Sequence, residues 1–217
     1  FRSDGSSDNF YGFYAVIEDT EDSLVVKSGE EKQPDYMTKG FTGWYKDPAC
    51  TDGNEFLLND CNEDITVYAK WKELNAVLLN AGNNGALTNK LKTVAGDISK
   101  ITAIQRSAVK PDAANMTSTN VISTSDSDTL IYLWKEGTVL RWWSKTEKVK
   151  ANTDLSYLFK GYTSLTDISG LGTWDIGSVT TMKSMFSGCS SITDLSELAN
   201  WDTDNVANMS FMFSGCS

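Results

Sequence analysis

Four cysteines and twenty-nine carboxylates are the reactive side chains of this 217-residue chain, and histidine is absent. Without histidine there is no Ser-His-Asp or Cys-His nucleophile, and the commonest transition-metal ligand is missing. Cys50, Cys61, Cys189 and Cys216 form no C-x-x-C pair, so zinc and dithiol redox chemistry have no sequence support. A carboxylate pair hydrolyses glycosides without histidine, but no pair is marked by its spacing. A carboxylate-pair glycosidase is therefore the distant alternative; an enzyme, a cofactor and a bound metal are not expected. Asp52 with Glu55, and Asp126 with Asp128, are oxygen ligands of the kind calcium takes. Neither set has EF-hand spacing, and both read as turns. Binding chemistry has better candidates. Trp142 and Trp143 share a predicted hairpin with Trp134; exposed, they would stack a sugar or hold a protein, and turned inward they would plug one end of the fold. Asp167 with Asp194, and Asp175 with Asp202, recur at a fixed interval and are candidates for a ligand-binding stripe, with helix capping as the plainer role of the second pair.

The formal charge of −10 disfavours a phosphate backbone as partner, so nucleic acid is not expected. No apolar run approaches the about 20 residues that span a bilayer, so no membrane contact is expected of this segment. With 40% hydrophobic residues, the chain has a normal supply for a folded core.

Those aspartates sit in a repeat. SLTDISGLGTWDIGSVTTMKSMFSGCS at 164–190 aligns with SITDLSELANWDTDNVANMSFMFSGCS at 191–217, and LSYLFKGYTS at 155–164 fits the second half of the same unit. Leu165/Ile192, Ile168/Leu195, Met182/Met209, Met185/Met212, Phe186/Phe213 and Cys189/Cys216 correspond, with Leu158, Phe159 and Tyr162 one interval earlier. A fixed period of this length marks stacked supersecondary units, whose corresponding apolar residues form one core. Val179, Met182, Met185 and Phe186 fall on one face of a predicted short helix. Ser178 and Asn205 stand at its N-cap position, and Gly188 and Gly215 at its left-handed end. L-T-D-I-S and I-T-D-L-S are the predicted strands. Cys189 and Cys216 then fall inside as small buried thiols, with a bond between them as the alternative.

The string W-D-x-x-x-V-x-x-M-x-x-M-F-S-G-C-S resembles the BspA-like leucine-rich repeat of bacterial surface proteins, a repeat of about 26 residues also found in mycoplasma-type lipoproteins. I-Y-L-W-K-E-G-T-V-L-R-W-W-S at 131–144 and A-V-L-L-N-A-G at 76–82 resemble that family's N-terminal cap. Further upstream, G-F-T-G-W-Y-x-D-P at 40–48 and D-I-T-V-Y-A-K-W at 64–71, with NFYGFYAVI at 9–17 as another strand, resemble the Listeria–Bacteroides repeat, the internalin B-repeat, which implies a small β-grasp-like module. Gly43 suggests a bulge in that module. An exported protein permits a Cys50–Cys61 disulfide there, with free thiols as the default.

Between the two, Asn84 caps a predicted helix to about Ala95, with Leu87, Leu91 and Val94 on one face and Gly96 as its stop. KITAIQ is a strand, and TLIYLW with VLRWWSK makes a hairpin. The expected architecture is α+β: a β-grasp-like module at 1–73, a cap at 74–150 and a leucine-rich-repeat-type α/β solenoid at 151–217. What the resemblances imply is a non-catalytic adhesion protein of the bacterial surface or exterior, binding a host or bacterial surface protein or a glycan. A stalk that holds another domain off the envelope is the alternative. The last unit ends without a polar cap, so further repeats, an anchor and self-association through that end are expected.

Overall fold

The computed structural model describes residues 39–47, 49–55 and 68–216. The stretch 9–17, the rest of the segment before Lys39, and Cys61 lie outside the described residues. Packing divides the chain between Glu73 and Leu74.

In the first unit, β1 (Lys39–Tyr45) pairs antiparallel with β2 (Tyr68–Glu73). The register shifts between Phe41 and Gly43, which is the bulge the glycine suggested. The loop after β1 is closed by Asp47, whose carboxylate accepts the Thr51 N–H (3.2 Å), the Thr51 hydroxyl (3.0 Å) and the Asn54 amide (3.0 Å). Lys70 reaches across to Asp52 at 2.8 Å and lies 4.8 Å from the centre of the Tyr45 ring.

The second unit begins with an extended segment and one helix, α1 (Ala86–Ala95). Leu87, Thr88, Leu91 and Ala95 make its buried face, as an apolar stripe at helical spacing must. Gly85, not Asn84, is the N-cap, and it makes no side-chain cap. A Cβ at Gly85 would collide with the Ala81 carbonyl, so close chain approach sets the residue there. Gly96, at φ 70°, ends the helix by donating to Lys92 O at 2.9 Å. β3 (Ala103–Arg106) runs parallel to β5 (Val139–Ser144), which pairs antiparallel with β4 (Ile131–Glu136) around Gly137.

Three coils follow: 149–163, 164–190 and 191–216. β6 (Val149–Lys150) of the first pairs parallel with β7 (Trp174–Asp175) of the second. Beyond that short ladder the predicted helix does not form. Residues 155–162 and 182–189 are chains of turns instead. Met185 N–H donates to Met182 O (3.1 Å), Ser187 to Ser184 (3.2 Å) and Cys189 to Phe186 (3.0 Å). The intervening N–H groups leave the coil. Leu155, Tyr157, Phe159 and Gly161 donate to Thr181, Lys183, Met185 and Ser187, each at 2.9 Å. Met182, Ser184, Phe186 and Gly188 donate in the same way to Asn208, Ser210, Met212 and Ser214, at 2.7–2.9 Å. Every one of these bonds runs from residue i to residue i + 26 and points the same way, so the peptides form aligned columns. The donors stand two residues apart, as same-side N–H groups do in a strand, but here the chain between them turns, with left-handed residues at Tyr157, Ser184 and Phe211 (φ 63°, 54°, 60°) and at Gly161, Gly188 and Gly215 (φ 81°, 79°, 77°).

The predicted L-T-D-I-S and I-T-D-L-S strands are also absent. Asp167 makes only an isolated bridge to Ala103. Its carboxylate, and that of Asp194, accepts the N–H two residues on (Ser169 and Ser196, both 2.8 Å), which bends the chain before a strand can run.

Within the second unit a continuous apolar core joins the helix, the three-stranded sheet and the coils. Leu158, Phe159, Leu165, Ile168, Met182, Met185, Phe186, Cys189 and Ile192 are buried in it, and so is Met212. Phe159 stacks on Phe186 at 5.4 Å and Phe186 on Phe213 at 5.7 Å with planes 5° apart. Three expected core residues are not buried: Leu195, Met209 and Phe213 are 37%, 42% and 40% exposed. Cys216 is half-buried. The third coil lacks, among the described residues, the neighbour on its far side that covers Ile168, Met182 and Phe186 in the second.

Candidate functional site

The coils bend at acidic corners, and local sequence explains why. A short side chain with an oxygen reaches its own backbone two residues ahead, which closes a turn without help from tertiary contacts. Asp154 accepts from Ser156 N–H (2.7 Å), Asp175 from Gly177 (3.0 Å), Asp202 from Asp204 (3.1 Å) and Asn208 from Ser210 (3.0 Å). With Asp167 and Asp194 these make repeated corners around the stack. The aspartates predicted as a ligand stripe correspond in pairs along the repeat, Asp167 with Asp194 and Asp175 with Asp202; the second pair meets at Gly177, and one oxygen of each of the four is engaged by its own turn.

The columns differ in what is left to offer. Asp167 is half-buried, and its second oxygen accepts the Gln105 amide at 2.6 Å, so both oxygens are engaged. Burial pushes its carboxyl up, but the Ser169 N–H and the Gln105 amide outweigh this and hold it below the ordinary aspartate value. At Asp194 the Ser196 backbone N–H, with the Ser196 side chain, lowers the carboxyl with little opposition from burial. Asp175 and Asp202 are exposed. They flank Gly177, where a Cβ would lie 3.4 Å from an Asp175 oxygen and 3.9 Å from an Asp202 oxygen. In the first coil the residue paired with Asp175 is Lys150, so the charge changes sign along the stack.

The tryptophans divide. Trp142 is 1% exposed and cannot belong to a binding surface: its indole N–H donates to Gly170 O at 3.0 Å, and its ring meets Trp174 edge-on at 6.4 Å. It joins the β3–β5–β4 sheet to the second coil. Gly170 permits this, since a Cβ there would stand 2.7 Å from backbone atoms of Gln105 and Arg106. Trp134 is also buried and donates to Glu136 at 2.8 Å. Trp143 points to the other face of β5, opposite Tyr132, and is half-exposed.

The thiols are structural in their geometry. Cys189 is buried with Sγ 3.1 Å from Phe159 O, and Cys216 repeats the contact with Phe186 O at 3.3 Å. Burial, with the neighbouring Cys216, pushes the Cys189 thiol up to about 12, far from thiolate chemistry. Both are free. The suspected calcium ligands have protein partners: Asp52 holds Lys70, Glu55 accepts the Gly53 N–H, Asp128 accepts the Asn75 N–H at 3.0 Å, and Asp126 accepts the Ser125 hydroxyl. Among the described residues no group of three or more cysteines and carboxylates is placed to hold a metal ion, and no helix is long and apolar enough to cross a membrane.

Sequence reasoning missed Gln105 and Gly170. Gln105 shows no signal, because its partner lies in a different element. Gly170 had one: a glycine with no counterpart in the next unit, where Glu197 stands.

Residues 139–217 match a family model described as "Mycoplasma protein of unknown function, DUF285". The matched stretch starts at the first residue of β5 and takes in all three coils, less than half of the chain. No curated protein and no solved structure matches.

Proposed function

We propose that the chain is a non-catalytic module of a bacterial surface protein, exported to the cell exterior, in which residues 151–217 belong to a leucine-rich-type solenoid of the BspA-like kind. Residues 74–150 serve as its cap, and residues 1–73 are a Listeria–Bacteroides-type β-grasp module. The observation that carries the reading is the i + 26 hydrogen-bond ladder with its phenylalanine column, because it turns a sequence repeat into a rigid array of equivalent surface positions. The match of 139–217 to a mycoplasma family supports the bacterial setting.

Two uses of such an array compete. As an adhesin, the chain would hold a host or bacterial protein or a glycan on Asp175, Asp194, Asp202 and the half-exposed Trp143, the members of the candidate surface that solvent reaches. As a stalk, it would space another domain from the envelope. The outward columns favour the stalk: Thr153 with Thr180, Thr166 with Thr193 and Ser169 with Ser196 are small hydroxyl residues, Asp167 is tied to Gln105, and the Asp175–Asp202 pair meets Lys150 in the first coil.

A glycan array and a surface-protein binding screen with the whole chain separate the two. Specific binding lost on Trp143→Ala, or on Asp175→Asn with Asp202→Asn, establishes the adhesin. A chain that binds nothing in either screen, and resists pulling in a force spectrometer as one cooperative unit from Leu74 onward, establishes the stalk. Turnover of any glycoside abolished by one carboxylate substitution would end both.

A further inference from the structure

We draw no further inference here: the strongest candidate, the apolar side of the third coil on which Met209, Phe211 and Phe213 lie exposed, borders the last residues of the sequence, and nothing in the structure shows what covers it.

Discussion

The second and third coils spell nearly the same sentence and stand in different environments. Met182, Phe186 and Ile168 are 0–3% exposed, while their counterparts Met209, Phe213 and Leu195 are 37–42% exposed. In the Met-Phe half of the unit the backbone conformation hardly changes between them: φ is 54° at Ser184 and 60° at Phe211, 79° at Gly188 and 77° at Gly215. Conformation is therefore written within each unit, and burial is conferred by the neighbours. Stability in such an array is a sum of unit and interface terms, and substitutions made in pairs, one per coil, separate them.

The largest difference is expected at the phenylalanine column. Phe186 is fully buried between two stacked rings, and Phe186→Ala should cost about 3–5 kcal/mol. Phe213 has one ring partner and 40% exposure, and Phe213→Ala should cost about 1–2 kcal/mol. Urea unfolding of both variants reads the gap directly. Equal costs would mean that the ring column contributes nothing beyond local structure.

That contrast also shows why some of the fold was legible and some was not. The register of the coils follows from recurring Met, Phe and Gly, because side chains that stack on their own counterparts must recur. Between them the residue spacing predicts helix where the chain makes successive turns. Apolar residues at 179, 182, 185 and 186 suit a helical face, but successive i to i + 3 turns space side chains in the same way. What distinguishes the two is the left-handed residue in the middle of the run. Gly188 announced itself; Ser184 and Tyr157 are not residue types that signal a positive φ. The L-T-D-I-S alternation likewise suits a strand, and only the aspartate's reach to its own backbone bends it. α1 was legible through Leu87, Leu91 and Gly96 because its periodicity and its stop are local signals. Its N-cap was not, since the Ala81 carbonyl that requires Gly85 is a tertiary contact. At the candidate site, the spacing of the aspartates was readable and their engagement was not. Trp142 and Trp143 are adjacent in sequence, and only the pleat of β5 sends one inward and the other outward.

A smaller effect, equal in both coils, is expected at the glycines. Gly188→Ala and Gly215→Ala should each cost about 1–2 kcal/mol from the left-handed backbone alone. Space is not the cause: the new Cβ would meet the glycine of the preceding coil at 3.7 Å and 3.6 Å, ordinary contact distances. Thermal unfolding should shift both variants alike. A markedly larger loss at Gly188 would show that burial reaches the backbone term as well, and would blur the separation drawn above.

Smaller again, and of opposite sign, is the effect at the left-handed non-glycine residues. Phe211→Gly relieves backbone strain and removes a ring that is 68% exposed, so about 0.5–1 kcal/mol of stabilisation is expected after the unfolded chain's gain in freedom is allowed for. Ser184→Gly relieves the same strain but removes a side chain that is 6% exposed, so its gain should be less. The reverse order would mean that Phe211 holds contacts its exposure does not reveal.

The subtlest contrast is the response of the corner aspartates to acid. Asp167 and Asp194 both have folded values below the ordinary one, so each favours the folded state above the unfolded value of about 4 and loses that contribution as pH falls through its folded value. Asp167 has two donors, Ser169 N–H and Gln105, while Asp194 has Ser196 alone. Asparagine keeps the oxygen that closes the turn but does not titrate in this range. Asp167→Asn and Asp194→Asn should therefore each flatten the loss of stability below about pH 4, and at Asp167 the burial that opposes its two donors sets how much. Urea midpoints for the two variants and the parent chain, taken near pH 6 and again near pH 3, measure it. If Asp167→Asn leaves the profile unchanged, burial cancels what the Gln105 contact contributes, and the second coil's attachment to β3 rests on its apolar packing and on the main-chain bond from Ile104 N–H to Asp167 O at 2.8 Å.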